Sequence, residues 1–240
     1  MLSIALSELV QIFRNRLVLV TSLIMPAVSS AFFIYQHEVF AALGSLGYIA
    51  AIVMFSAGAF GLYTTAVTTL ASRRQNLFLK RLRSTAASDT AILSGLLLPI
   101  TVISLVQVAV IMTALAVVTG EPDNVLLLAA AVVSMVIMML GLGLATAGLT
   151  NSPEHAQVTT LPISLGTIAV ASWVGIAGTE ELTLLKRLLP GGSATELVLN
   201  AWNGGASLAD SLILLVPTLG WVIVAVALAS RIFRWEPRPA

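Results

Sequence analysis

AILSGLLLPITVISLVQVAVIMTALAVV, residues 91–118, holds no Asp, Glu, Lys or Arg, and VLLLAAAVVSMVIMMLGLGLATAGL, residues 125–149, is equally uncharged. A helix needs about 20 apolar residues to cross a bilayer. Uncharged apolar stretches of similar length lie at roughly 17–35, 43–71, 158–177 and 212–230. Together they predict an all-α membrane protein with six transmembrane helices.

The composition agrees. Hydrophobic residues make up 58% of the chain and charged residues 10%, against about 25% charged in a typical soluble domain. Mean hydropathy is +1.00. Spans and connectors consume nearly all of the 240 residues, so one transmembrane domain over 1–240 is expected. Cys is absent, which excludes disulfides and thiolate metal sites. Arg14 and Arg16 before residues 17–25, with Ala27 and Ser29 beyond, have the outline of a signal peptide. The apolar run continues to Tyr35, however, so a retained span is the expectation.

All but Lys186 and Arg187 of the 12 Lys and Arg fall in three clusters. These are Arg14 and Arg16; Arg73, Arg74, Lys80, Arg81 and Arg83; and Arg231, Arg234 and Arg238. With six spans they share one side, which the positive-inside rule makes cytoplasmic. The chain is therefore expected in the cell (plasma) membrane as a multi-pass protein with both termini and the 72–90 loop in the cytoplasm. The opposite loops carry His37, Glu38, Glu121, Asp123, Glu180, Glu181, Glu196 and Asp210.

Within 2–15, Leu2, Leu6, Leu9 and Phe13 recur at helical spacing with Ala5 and Ile12, opposite Ser3, Ser7, Gln11 and Arg14. That pattern suits an interfacial helix or an extension of span one. Pro26, Pro99, Pro162 and Pro217 fall inside spans, where kinks are tolerated. Small residues crowd span two (Ser56, Ala57, Gly58, Ala59, Gly61) and span four (Gly141, Gly143, Ala145, Ala147, Gly148). They are candidates for close helix contact, within the chain or with a second copy. The pieces of 178–210 are too short to cross. They read either as a short re-entrant segment turning at Pro190, Gly191 and Gly192, or as a surface-lying extracellular hairpin.

Chemistry is hard to find. There is no Gly-rich phosphate loop, so the chain cannot hold ATP in that way, and no Gly-x-Ser-x-Gly elbow. His37 and His155 belong to opposite faces, which excludes a shared metal or catalytic site. The uncharged spans argue against an ion-driven antiporter and a charged-filter channel. A transport subunit without enzymatic activity, cofactor, metal or nucleic-acid partner is expected.

The most specific stretch is ASRRQNLFLKRLRSTAASDTAILSG, residues 71–95. Drawn as a helix, Phe78, Leu79 and Leu82 share one face and the basic residues take most of the rest. By itself this reads equally as a topology-setting basic loop or a docking element. The stretch resembles the loop after span two in type-2 ABC exporter permeases, Glu-Arg-Glu-x-Gly-Thr-Leu-x-Arg-Leu-Arg-x-Thr-Pro followed by Ser-Pro and a later Gly. The chain keeps Arg74, Leu79, Arg81, Leu82, Arg83, Thr85, Ser88 and Gly95, and departs at Gln75, Leu77, Phe78, Ala86 and Asp89. Glu154 and Ala156 after span four, and Leu188, Leu189 and Pro190 before span six, are also similar to that family.

The resemblance implies an N-terminal interfacial helix, six spans, and a coupling loop at 72–90 that docks on a separate ABC ATPase subunit, which binds the ATP. Arg74, Phe78, Leu79, Arg81, Leu82 and Arg83 would be its contact residues, flanked by 2–15. A second permease chain, as a homodimer or heterodimer, would complete the path among membrane lipids. The cargo expected is a small amphipathic or lipophilic compound, such as a drug or natural product, since the spans offer apolar surface and the hydroxyls of Ser29, Ser30, Thr64, Thr65, Thr68, Ser104 and Thr113 without fixed charge. Such hydroxyls more often hydrogen-bond neighbouring helices. Alternatives are a permease for a lipid-linked glycan or envelope lipid, a stand-alone channel or facilitator, and a non-transporting anchor or sensor.

Overall fold

The computed structural model describes residues 2–14 and 16–236, in which all regular structure is helical. Helix α1 (Leu2–Arg14) leads through the turn Arg16–Leu19 into α2 (Val20–Tyr35). The short α3 (His37–Leu43) precedes α4 (Leu46–Gln75) and α5 (Phe78–Arg83). Then come α6 (Asp89–Thr119), α7 (Val125–Leu149) and α8 (Pro153–Ala177). The chain ends in α9 (Thr183–Leu188), α10 (Gly192–Asn203) and α11 (Leu208–Ile232). Helices α4, α6, α7, α8 and α11 are long and apolar enough to cross a membrane, which fits a multi-pass membrane protein. The first apolar run forms the shorter α2. Its helical backbone is continuous from Arg16 to Tyr35, about 30 Å at 1.5 Å per residue.

Helix α4 is the axis of the bundle: 89% of its most apolar window is buried, against 17% for α11. Its small residues make this possible. A Cβ on Gly61 would meet the Ser22 carbonyl of α2 at 3.1 Å, and one on Gly58 would crowd Met135 of α7. Gly141 and Gly148 give α7 the same close fit to Ala225 and Ile232 of α11. The small residues of span two are thus consumed inside the chain and leave no stripe for a second copy.

Two π-helical segments, Val20–Ile24 in α2 and Ala57–Thr64 in α4, pack against each other. Pro26 has no N–H to give the turn before it, and Gln107 Nε2 of α6 donates to the Leu23 carbonyl at 3.0 Å. In α4 the Thr64 hydroxyl bonds back to the Ala59 carbonyl at 2.9 Å. Such segments recur at functional sites.

The connectors gather at two ends. At one, α1, the α4–α6 connector, the α7–α8 turn and the C-terminal segment meet. At the other, Asn203 accepts from Gly47 N at 3.0 Å and the Trp202 and Ala201 carbonyls accept from Asp123 and Asn124 N. Helix α10 is mostly buried, packed on α4, α7 and α8. Gly191 (φ +95°) makes the turn, and a Cβ on Gly192 would collide with the Lys186 carbonyl.

Candidate functional site

Two adjacent arginines at the end of α4 fork to opposite sides. Arg73 Nη2 donates to Glu8 Oε2 of α1 at 2.8 Å and to Gln11 Oε1, and its guanidinium lies 5.4 Å from the Phe78 ring of α5. Arg74, which is buried, donates to the Thr150 carbonyl after α7 and to the Arg234 carbonyl at 3.4 Å. Between them they fasten α4 to α1, α5, α7 and the C-terminal segment.

The residues expected to dock a partner divide in two. Leu79 is completely buried, and Phe78 and Leu82 are half-buried against the core. Leu77, with φ +57°, reverses the chain so that this apolar face turns inward. Sequence reasoning assigned that face to a partner cleft; in the folded chain it anchors α5 to its own bundle. Arg74 is likewise an internal fastener. Arg81 and Arg83 remain exposed beside Lys80 and Leu77. The basic face is thus what α5 offers outward.

Part of that face has neighbours. Lys80 Nζ is 3.2 Å from Glu236, Arg83 is 3.3 Å from Asp89, and the Arg83 guanidinium lies 5.1 Å from the Trp235 ring. Both ion pairs are about half exposed, where such pairs contribute about 0–1 kcal/mol.

Beside this connector lies a cavity of about 910 Å³. Helix α4 supplies its floor through Thr64, Thr65, Thr68, Thr69, Ser72 and Arg73. Val18 and Thr21 of the α2 region form one wall, and Pro153, Glu154 and Gln157 of α8 the other. Helix α1 closes the basic end with Glu8, Gln11, Ile12 and Arg14, and Arg16 stands at the corner. Helix α1 buries Ala5, Glu8 and Ile12 and exposes Leu6, Val10 and Phe13. Its apolar residues are therefore shared between bundle and surroundings. Of the hydroxyls named from sequence, Thr64, Thr65 and Thr68 line the cavity. Ser29 donates to the Pro26 carbonyl and Thr113 to that of Ala109, while Ser30 and Ser104 are buried within the bundle.

At the far end sits an ionic cluster that hydropathy did not reveal. Arg187 grips Glu196 with two bonds, Nε to Oε2 at 2.7 Å and Nη2 to Oε1 at 2.6 Å, and Thr179 adds a third at 3.0 Å. Hydrogen bonding to Glu196 pushes the Arg187 pKa up. Lys186 is buried, donates to the Gly178 carbonyl at 2.7 Å and lies 5.1 Å from the Trp173 ring. The two basic residues outside the three clusters are thus satisfied locally. A basic pair nine and ten residues before a lone Glu was the available signal.

Among the described residues no group of three or more His, Cys, Asp or Glu could hold a metal ion. No protein-family model matches the chain, and comparison with curated proteins found no match.

Proposed function

We propose that the chain is the membrane-spanning permease subunit of an ATP-driven ABC exporter. It would work with a separate ATPase subunit and a second permease chain, and move a small amphipathic or lipophilic compound out of the cell. In this reading α2 is the sixth span, α9 and α10 form a re-entrant segment, and α1, α5 and both termini face the cytoplasm of the cell membrane. The observation that carries it is the bracing of α5. This short basic helix between two long spans packs Phe78 on Arg73 and reaches the C-terminal segment through Lys80 and Arg83. Arg73 and Arg74 hold the adjoining end of α4 to α1, to the Thr150 carbonyl after α7 and to the C-terminal segment. A push on α5 is thereby delivered to several helices at once, as a nucleotide-driven partner requires.

The partner's contact would be acidic, meeting Lys80, Arg81 and Arg83 rather than accepting the leucines. The test is co-purification of an ATPase with the tagged chain and stimulation of its hydrolysis by candidate cargo. Wild-type chain should retain the ATPase, and Arg81→Glu should lose it at normal membrane levels. Retention by Arg81→Glu with normal export would remove α5 as the coupling helix. The cavity, whose lining joins threonine and charged groups to apolar surface and whose bordering helix has an apolar outer face, favours an envelope lipid as the second reading of the cargo.

A further inference from the structure

Arg73 on the cavity floor is already engaged by Glu8 and Gln11 of α1, which leaves the threonine hydroxyls, Glu154 and the Arg14 and Arg16 corner as the groups open to a ligand. On that floor the Thr64, Thr65 and Thr68 hydroxyls give their protons to the Ala59, Phe60 and Thr64 carbonyls at 2.9, 3.5 and 2.8 Å. With their protons given to carbonyls these hydroxyls are left to accept, Thr64 lying also 3.4 Å from the Ser164 hydroxyl, and Glu154 adds a carboxylate on the α8 wall. This side accepts. At the corner between α1 and α2, Arg14 and Arg16 are exposed on the cavity rim. Among the described residues, no ion pair engages either. This side donates and is cationic.

A ligand matching both sides carries an anionic group and, within one headgroup, an ammonium with N–H donors. Phosphate takes the guanidinium fork, which fits its oxygens two at a time. The ammonium takes the threonine oxygens and Glu154. The surroundings say what the rest of the ligand is. Helices α2 and α8 both pack on α4 and scarcely touch one another, so the cleft is open sideways. Its apolar flanks continue as exposed Val20 and Ile24 on one helix and Val158, Leu161 and Leu165 on the other. Those flanks suit acyl chains.

We propose that this cavity binds the headgroup of a phosphatidylethanolamine-type lipid, phosphate toward Arg14 and Arg16 and ammonium toward the α4 threonines and Glu154. Lipid binding needs no ATPase partner, so it is measured on the full chain alone, and its failure leaves the export reading standing.

The experiment is native mass spectrometry of the purified full-length chain with phosphatidylethanolamine, phosphatidylcholine and phosphatidylglycerol of identical acyl chains. A fourth arm uses free O-phosphoethanolamine. Phosphatidylethanolamine is expected to bind about tenfold or more tightly than phosphatidylcholine, whose quaternary nitrogen has no N–H to donate, since a charged hydrogen bond contributes about 1.5–3 kcal/mol. It should also exceed phosphatidylglycerol, which has no ammonium. Arg14→Ala with Arg16→Ala should weaken it about tenfold, and Thr68→Val should narrow the preference over phosphatidylcholine. Equal binding of all three lipids overturns the headgroup assignment. So does a preference for phosphatidylglycerol, which would mark a merely cationic site. Free O-phosphoethanolamine binding as tightly as the lipid overturns the acyl-chain assignment.

Discussion

Arg73 Nη2 and Glu8 Oε2, 65 residues apart in the chain, meet at 2.8 Å and tie the end of α4 to the N-terminal helix. The side chains retain 15% and 3% exposure. Water therefore screens this pair far less than Lys80 and Glu236, whose side chains are 57% and 59% exposed.

That difference sets the first expectation. Removing one member of a buried pair costs about 3–5 kcal/mol, because the other charge is left uncompensated. Exposed pairs give about 1 kcal/mol or less. Glu8→Ala should therefore lower the thermal midpoint of the purified chain well beyond Lys80→Ala. It should also raise the labelling rate of a single Cys placed at Ile12. Equal shifts for the two variants would mean that the ion pair adds nothing to the Gln11 hydrogen bond and the apolar contacts of α1.

Leu79 and Arg81 should separate stability from docking. Leu79 is fully buried, and truncating a buried Leu to Ala costs about 2–5 kcal/mol. Leu79→Ala should reduce the amount of folded chain in membranes whether or not a partner is present. Arg81→Glu should leave that amount unchanged and act only on partner binding. Membrane level and co-purification, measured together, distinguish the two. A normal level of Leu79→Ala with a lost partner would restore the outward-facing leucines.

The six apolar stretches, the basic end and the half-apolar α1 were legible because hydropathy and charge report directly on solvent. The inward turn of α5 was not. Phe78, Leu79 and Leu82 share a face under any reading, and nothing in a six-residue helix says whether that face meets its own bundle or another protein. The αL residue that decides it, Leu77, is not a type that announces a reversal. Arg74 drew notice as part of a basic loop, and its burial depends on carbonyls at Thr150 and Arg234 that only the fold brings near. The cavity was half visible: Thr64, Thr65 and Thr68 stood out as hydroxyls, while their pairing with the Arg14–Arg16 corner is tertiary.

The Arg187–Glu196 pair should behave as a unit. Arg187→Ala leaves Glu196, whose side chain is 12% exposed, without its partner, whereas Glu196→Ala leaves Arg187, 37% exposed, in reach of water. Both should therefore destabilise, and the first more. The double variant should cost less than the sum, with a coupling energy of about 0.5–3 kcal/mol. Thermal midpoints of the four chains give this cycle. Strict additivity would show that the bidentate bond contributes nothing.

Gly192 and Gly166 make a matched contrast. An added Cβ at Gly192 meets the Lys186 carbonyl, whereas at Gly166 nothing lies within 4 Å. Gly192→Ala should displace α10 and lower stability. Gly166→Ala, inside α8, should be neutral or gain up to about 1 kcal/mol in helix propensity. Thermal midpoints and chromatographic homogeneity check both.

The coupling role of α5 is tested most directly by a photo-reactive side chain at position 81 in the full-length chain, illuminated in membranes that still export. The predicted product joins the chain to an ATPase carrying a Gly-rich phosphate loop. The same group at position 123, at the opposite end, should give no such product. An active chain that cross-links from position 81 only to lipid, or to the ATPase equally from both positions, would contradict the exporter reading and leave α5 as a basic, topology-setting connector.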